Sequence, residues 1–178
     1  MIEREPLVNV KHMAVSTALS TEIARIVDQL QREHDGDPWH GSPLSAILEG
    51  IDGKRAAARP IANAHSIWEL VLHMTSWKHE AARRLRGAVA CMPIEGDWPS
   101  IGPPTDERWQ KAIADLQAAH QDLIAAVKAM PDKKLYEPTR DTRSAPLGTG
   151  VTHYVLLHGV VQHDVYHAGQ IALLKKAR

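Results

Sequence analysis

Apolar residues recur at steps of three and four along four long segments of the chain. This is the spacing of one face of an α-helix, so each segment is predicted to be an amphipathic helix. The four predicted helices are Val15 to about His34, His65 or Ser66 to Gly87, Thr105 to Met130, and Thr152 or His153 to the C-terminus. The pattern therefore predicts a protein built from long helices.

Local signals support several of the predicted helix ends. Ser66 is followed three residues later by Glu69, which has the form of a capping box at the start of the second long helix. A short extra helix is predicted after the first long one, with Ser42 as N-cap, Pro43 at the first helical position and Leu48 near its end.

The segments that join the helices contain many breakers. Residues 88–104 and 132–152 are rich in proline and glycine and are predicted to be long loops. Alternation of apolar and polar residues, the mark of a strand, is missing at any useful length. We therefore predict an all-α four-helix bundle with long connecting loops and a short extra helix after helix one. The length suits one hydrophobic core, so residues 1–178 are predicted to form a single domain.

Charge and composition exclude several classes of function. The chain has 21 Lys+Arg and 21 Asp+Glu, and it has no basic block that could neutralise a run of phosphates, so no nucleic-acid partner is expected. Without an apolar run long enough to span a bilayer or an apolar signal segment at the N-terminus, no membrane association is expected. The single cysteine, Cys91, cannot form an internal disulfide. Together these features predict a cytoplasmic protein.

Histidine is the residue type that suggests chemistry. The chain has 11 His and no Phe, and His163 and His167 stand four residues apart in the last helix. At 3.6 residues per turn their rings project about 40° apart and one turn along the axis, which suits two ligands of one metal ion. Such a pair is expected by chance in a histidine-rich chain. Two further features support it: Gly159 leaves space one turn earlier, and His73 lies on the inner face of the second long helix.

If the second and fourth long helices are neighbours, His73, His163 and His167 converge. Three neutral imidazoles hold a metal ion and leave further coordination positions free, as in catalytic sites. Zinc is the default ion, and nickel or iron would also accept three nitrogens. Three polar residues could orient the ligands through hydrogen bonds, although each could equally be an ordinary polar residue: Glu69, Glu80 and Gln170.

Other residues have simpler interpretations. Asp164 projects about 100° away from the histidine pair and is not counted as a ligand. His120 falls on an apolar stripe and is interpreted as a core histidine. His34 belongs to a group of five histidines without a placement argument, most of which are interpreted as surface or capping residues. Cys91 could be a nucleophile, but the sequence identifies no base or cation beside it.

Several catalytic motifs are missing. No Glu stands three residues before a His, which excludes the carboxylate-bridged di-iron pattern of helical bundles. The chain also has no G-x-S-x-G elbow, no H-E-x-x-H and no P-loop.

Three stretches of the chain resemble a known family. They are HSIWELVLHMTSW, HGVVQHDVYHAGQIALLKK, and the earlier WHGSPL with its short helix and Arg59-Pro60. In this combination they resemble the DinB/YfiT-like superfamily of damage-inducible, metal-dependent proteins. The resemblance covers most of the chain from Trp39 onward and is strongest in the last helix.

The resemblance implies a four-helix bundle that holds a divalent ion through one histidine of helix two and two of helix four. By position these are His73, His163 and His167. Members with assigned activities include thiol S-transferases that use bacillithiol or mycothiol, and maleylpyruvate isomerases that depend on such thiols. Homodimers are frequent in the family, and a homodimer is expected here.

Two hypotheses of function follow. In the first, the protein is a metal-dependent transferase or hydrolase in which the three-histidine ion activates a thiol or water toward a small-molecule substrate. The co-substrate would be a low-molecular-weight thiol, and residues 88–104 and 132–152 would form the pocket mouth. In the second, it is a non-catalytic, stress-related metal-binding or scaffold dimer.

Overall fold

The protein is described by a computed structural model that covers residues 21–141 and 151–177. Within these ranges the chain is helical, which confirms the predicted all-α bundle. The helices are α1 Glu22–His34, α2 Leu44–Leu48, α3 Gly53–Ala57, α4 Ile67–Leu85, α5 Asp106–Lys128 and α6 His153–Lys176, with a short 3-10 helix at Asp132–Tyr136. Each of these described helices is too short or too polar to cross a membrane.

Side-chain caps decide where the long helices begin. The predicted capping box of α4 is formed, because the Glu69 N–H donates to Ser66 Oγ at 3.2 Å and the Ser66 N–H donates to Glu69 Oε2 at 2.7 Å. Thr105 and Thr152 cap α5 and α6 in the same way with their hydroxyl groups. The predicted starts of these three helices are thereby confirmed.

The start of the first helix is different. Thr21 has an extended backbone and its hydroxyl accepts from the Ala24 N–H, so α1 begins at Glu22. The earlier part of the predicted helix, residues 15–20, lies outside the described residues.

Three short features also differ from the sequence prediction. The short helix α2 begins at Leu44, because Pro43 is extended and acts as the N-cap. Helix α3 was not predicted; the Asp52 side chain caps it by accepting from the Arg55 N–H at 2.7 Å. The predicted loop 132–152 contains the 3-10 helix and an antiparallel bridge between Pro138 and Thr152, and its residues 142–150 lie outside the described ranges.

Two apolar clusters form the core. The first joins α2 to α6 around Trp68 and Trp109, and the second joins α1 to the later part of α5 and the early part of α6 around Leu30. Helix α4 packs on both α5 and α6 and contributes to both clusters. Between the two clusters, the middle turns of these helices carry buried polar residues, among them Lys78 and His120. The candidate site lies in this polar layer.

Candidate metal centre

Three histidines converge where the middle of α4 faces the middle of α6. His163 Nε2 lies 3.0 Å from His73 Nε2 and 3.1 Å from His167 Nε2. Nitrogen ligands about 2.0–2.1 Å from a zinc ion are separated by about 2.9 Å at a 90° angle and about 3.3 Å at a tetrahedral angle. The observed distances fall between these values, so the three Nε2 atoms can share one ion.

The hydrogen bonds at the opposite ring nitrogens determine which atoms are free to bind. His73 Nδ1 donates to the Asp97 carbonyl oxygen at 2.7 Å, and His167 Nδ1 donates to Gln170 Oε1 at 2.7 Å. A neutral imidazole carries a single proton, so the Nε2 atoms of both rings present lone pairs to His163.

His163 Nε2 can supply a proton to only one of these two lone pairs. The other lone pair then lies about 3 Å from a nitrogen whose proton points elsewhere, and if His163 Nε2 carries no proton, both contacts join unprotonated nitrogens that repel each other. A cation bound by all three Nε2 atoms removes this conflict. The donor set therefore fits a metal ion better than it fits a purely hydrogen-bonded cluster.

Protonation also favours metal binding. Burial lowers the pKa of His73, and burial lowers the pKa of His167 to about 4, with the neighbouring histidines adding to the effect. Both rings are therefore neutral near pH 7, the state that a metal ligand requires. The His163 side chain is 30% exposed, so the cluster is open to solvent at this residue.

The loop between α4 and α5 holds the His73 ring. The Trp98 indole stacks on the His73 imidazole, with centroids 4.0 Å apart and planes 9° apart, and also on the His65 ring at 3.5 Å. The preceding Asp97 accepts from His73 through its carbonyl oxygen, and its Oδ1 accepts from Trp77 Nε1 at 2.8 Å. The sequence placed Asp97 and Trp98 only within the predicted pocket mouth at residues 88–104 and did not identify them as partners of a ligand, because a loop rich in proline and glycine has no period that shows which side chains face inward.

Of the three residues predicted to orient the ligands, Gln170 contacts one of them directly, through His167 Nδ1. Glu69 lies at the start of α4, where its carboxylate binds the Ser66 N–H and the Arg59 guanidinium. The unpaired N–H groups of a helix N-terminus are strong partners for an acid. This explains why Glu69 is used there and does not orient the histidines.

Glu80 is also directed away from the histidines. Its carboxylate accepts from Arg83 Nε and Arg84 Nε, each at 2.7 Å, and from the Cys91 N–H at 2.9 Å. Asp97 therefore has the role that the sequence interpretation offered to Glu69 and Glu80. Glu69 instead fixes the N-terminal end of α4. Glu80 fixes the segment around Cys91, which follows the C-terminal end of this helix.

A buried ion pair adjoins the histidine cluster. Lys78 and Asp164 have fully buried side chains and bind each other, and Glu33 Oε1 lies 3.7 Å from Lys78 Nζ. Burial alone would raise the pKa of Asp164, but the Lys78 ammonium outweighs this effect and lowers it. Burial raises the pKa of Glu33 to about 9, and the charge of Asp164 adds to that rise. As expected, Asp164 stands outside the histidine cluster; its Oδ1 lies 3.8 Å from His163 Nδ1.

A second buried group of possible ligands consists of Glu33, His34 and His120. His120 is fully buried, which confirms it as a core histidine, whereas the surface or capping interpretation of His34 is wrong: it is 3% exposed and stacks on His120 at 3.9 Å. Lys78 Nζ, which can only donate, lies 3.5 Å from His120 Nδ1, so His120 Nε2 keeps its proton. A protonated nitrogen beside a buried ammonium group does not suit a cation, so we assign the metal centre to the other cluster.

Comparison with known proteins identifies one matching family. No curated protein and no solved structure gives a significant match to the chain. The model of the DinB superfamily matches residues 39–171, which is more than half of the chain and includes all three converging histidines. This confirms the resemblance seen in the sequence: the chain belongs to the DinB superfamily.

Proposed function

We propose that the protein binds a divalent metal ion through the Nε2 atoms of His73, His163 and His167 and acts as a metal-dependent transferase or hydrolase on a small-molecule substrate. The observation that carries the proposal is the convergence of these three atoms: His163 Nε2 lies 3.0 Å from His73 Nε2 and 3.1 Å from His167 Nε2, and all three lie within 4.8 Å of one another. Zinc is the first choice for three nitrogen ligands, and nickel and iron also accept them.

A divalent ion with three protein ligands retains positions for water or a thiol and lowers the pKa of the group bound there, which makes hydroxide or thiolate available near neutral pH. The residues around the site supply orientation and access. Asp97 and Gln170 hold the Nδ1 protons of two rings and so turn their Nε2 atoms inward. The exposed edge of His163 leaves room for a small molecule to approach.

Elemental analysis of the purified protein tests the metal site. We expect about one equivalent of metal in the wild type and none in the His163→Ala or His167→Ala variants. His79→Ala is the matched control, because His79 lies on α4 with a side chain that is 43% exposed and faces Glu95. A His163→Ala variant that retains one equivalent with unchanged affinity would contradict the assignment.

Activity is tested separately. Thiol conjugation to an electrophilic aromatic halide and hydrolysis of an activated ester are measured before and after treatment with a chelator. The proposal predicts that one of these activities is lost with the metal and returns when zinc, nickel or ferrous iron is added. Stoichiometric metal without either activity, and with no exchangeable solvent or buffer ligand, would instead support a non-catalytic metal-binding dimer.

A further inference from the structure

A cavity of about 220 Å³ lies between α4 and α6, and His163 belongs both to its wall and to the histidine cluster. The cavity is lined mainly by apolar groups, including Trp77 from α4 and Val155 and Val160 from α6. Gly159 opens the wall further, because a Cβ atom added there would meet no atom within 4 Å. The space beside Gly159 that the sequence suggested is therefore part of a defined cavity.

The charged residues in the wall are engaged with one another or with neighbours. Lys78 pairs with Asp164. Arg84 donates to Glu80 at 2.7 Å and lies 3.8 Å from Asp141. Among the wall residues that the structure describes, positive and negative groups thus occur in pairs, and none of these residues offers a surplus charge to an ionic ligand. An ion that moved against the apolar part of this cavity would lose part of its hydration without gaining a free counter-charge from the described wall residues.

The volume limits the size of a ligand. A dry apolar cavity of about 150 Å³ is large enough to bind benzene in a protein interior. The cavity beside His163 has a volume of about 220 Å³ and is open to solvent at Val155, which is 54% exposed, so one aromatic ring with a small substituent fits it with one side toward solvent. A fused polycyclic molecule or a long chain would extend beyond this volume.

We propose that this cavity binds the uncharged, apolar part of the substrate, a single aromatic ring or an alkyl group of similar size, and so places the reacting end of the molecule at the histidine cluster. His163 lines the cavity and also belongs to the histidine cluster, so a molecule held in the cavity lies next to the cluster. This inference rests on the proposed function and adds to it the class of substrate: a neutral small molecule with one compact hydrophobic group.

A titration of the full chain with benzene tests the cavity. Binding is monitored through the chemical shift of the Trp77 indole N–H in two-dimensional NMR spectra. We expect saturable one-to-one binding to the wild type. Gly159→Leu fills the cavity and should weaken benzene binding by at least about tenfold, since it removes the space for the ring. Gly169→Leu is the matched control: Gly169 lies in the same helix, is equally open, and is not part of this cavity, so benzene affinity should be unchanged.

Benzoate tests the charge preference, because it has the same ring with one negative charge. It should bind at least about tenfold more weakly than benzene, since its carboxylate loses hydration without an available partner. If Gly159→Leu does not fold, Gly159→Ala replaces it and should weaken benzene binding in the same direction by a smaller factor.

The measurements are made on metal-free protein, so they do not depend on the metal. Absence of benzene binding to the wild type, unchanged binding to the Gly159 variants, or benzoate binding as tight as benzene would each overturn the inference. Loss of benzene binding in Gly159→Leu together with a lack of chelator-sensitive activity would leave the cavity established and reject only the proposed function.

Discussion

The indole of Trp98 lies parallel to the imidazole of His73, with ring centroids 4.0 Å apart and planes inclined by 9°. The two residues come from different parts of the chain, a loop and the middle of α4. The stacked indole restricts rotation of the imidazole, while the adjacent Asp97 carbonyl binds its Nδ1 proton. This loop therefore sets the direction in which His73 presents its Nε2 atom.

Removing the Trp98 ring should weaken metal binding. For Trp98→Ala we expect the affinity for zinc to fall by about tenfold to a hundredfold, the usual effect of losing a group that orients a ligand. Competition with a chromophoric chelator measures the change. Trp98→Phe keeps a ring that can stack and should recover much of the affinity.

The control for this prediction is Trp39→Ala. Trp39 is fully exposed, so its removal should leave zinc affinity unchanged. If Trp98→Ala binds zinc as tightly as Trp39→Ala, the stacked ring has no part in orienting His73.

Gln170 should affect zinc affinity, because its Oε1 accepts the Nδ1 proton of His167. In Gln170→Ala the Nδ1 proton of His167 loses its acceptor, and we expect zinc affinity to fall by about tenfold or more. Gln170→Glu keeps an acceptor of similar reach and should bind zinc more tightly than the alanine variant. The exposed Gln162 of the same helix gives the matched control, Gln162→Ala. Equal affinities in all three variants would contradict this role.

The buried pair Lys78 and Asp164 should be far more important for stability than a surface pair. Lys78→Met leaves the carboxylate of Asp164 buried without its counter-charge, which should lower the free energy of unfolding by about 3–5 kcal/mol. Arg86→Met breaks the exposed pair with Asp122 and should cost at most about 1 kcal/mol. Urea unfolding of both variants at pH 7 makes the comparison. Similar losses in the two variants would argue against a buried charge at Lys78.

Buried His120 should make the fold sensitive to acid. Burial lowers the pKa of His120 to about 3 in the folded state, with the charge of Lys78 adding to the effect, whereas an unfolded histidine titrates near 6.5. As the pH falls below about 6.5 the unfolded chain takes up a proton that the folded chain does not. The stability contributed by neutral His120 is therefore present above pH 6.5 and is lost as the pH falls toward 3, by about 1.4 kcal/mol per pH unit.

His120→Gln should remove this contribution from the pH dependence. Urea unfolding at several values between pH 4 and pH 7 gives the slope, and the slope for the variant should be shallower by about 1.4 kcal/mol per pH unit. His79→Gln is the control, because solvent hydrates the exposed His79 ring in both states. A wild-type slope in His120→Gln would show that His120 is not kept neutral by burial.

The sequence alone determined the long helices and most of their ends. Helical periodicity and capping depend on residues within a few positions of one another, so Ser66 with Glu69, Thr105 and Thr152 could be interpreted locally. The same local geometry placed His163 and His167 side by side on α6. The family resemblance, carried by short motifs, was also present in the sequence and agrees with the matched family.

The tertiary structure decided what surrounds those histidines. Asp97 and Trp98 reach His73 from an irregular loop, and Lys78 meets Asp164 across 86 residues of chain. Neither contact has a periodic signal, because each depends on how distant segments pack. Burial also changed the interpretation of His34 and gave Glu33 and His120 their shifted pKa values, since desolvation exists only once the core has formed.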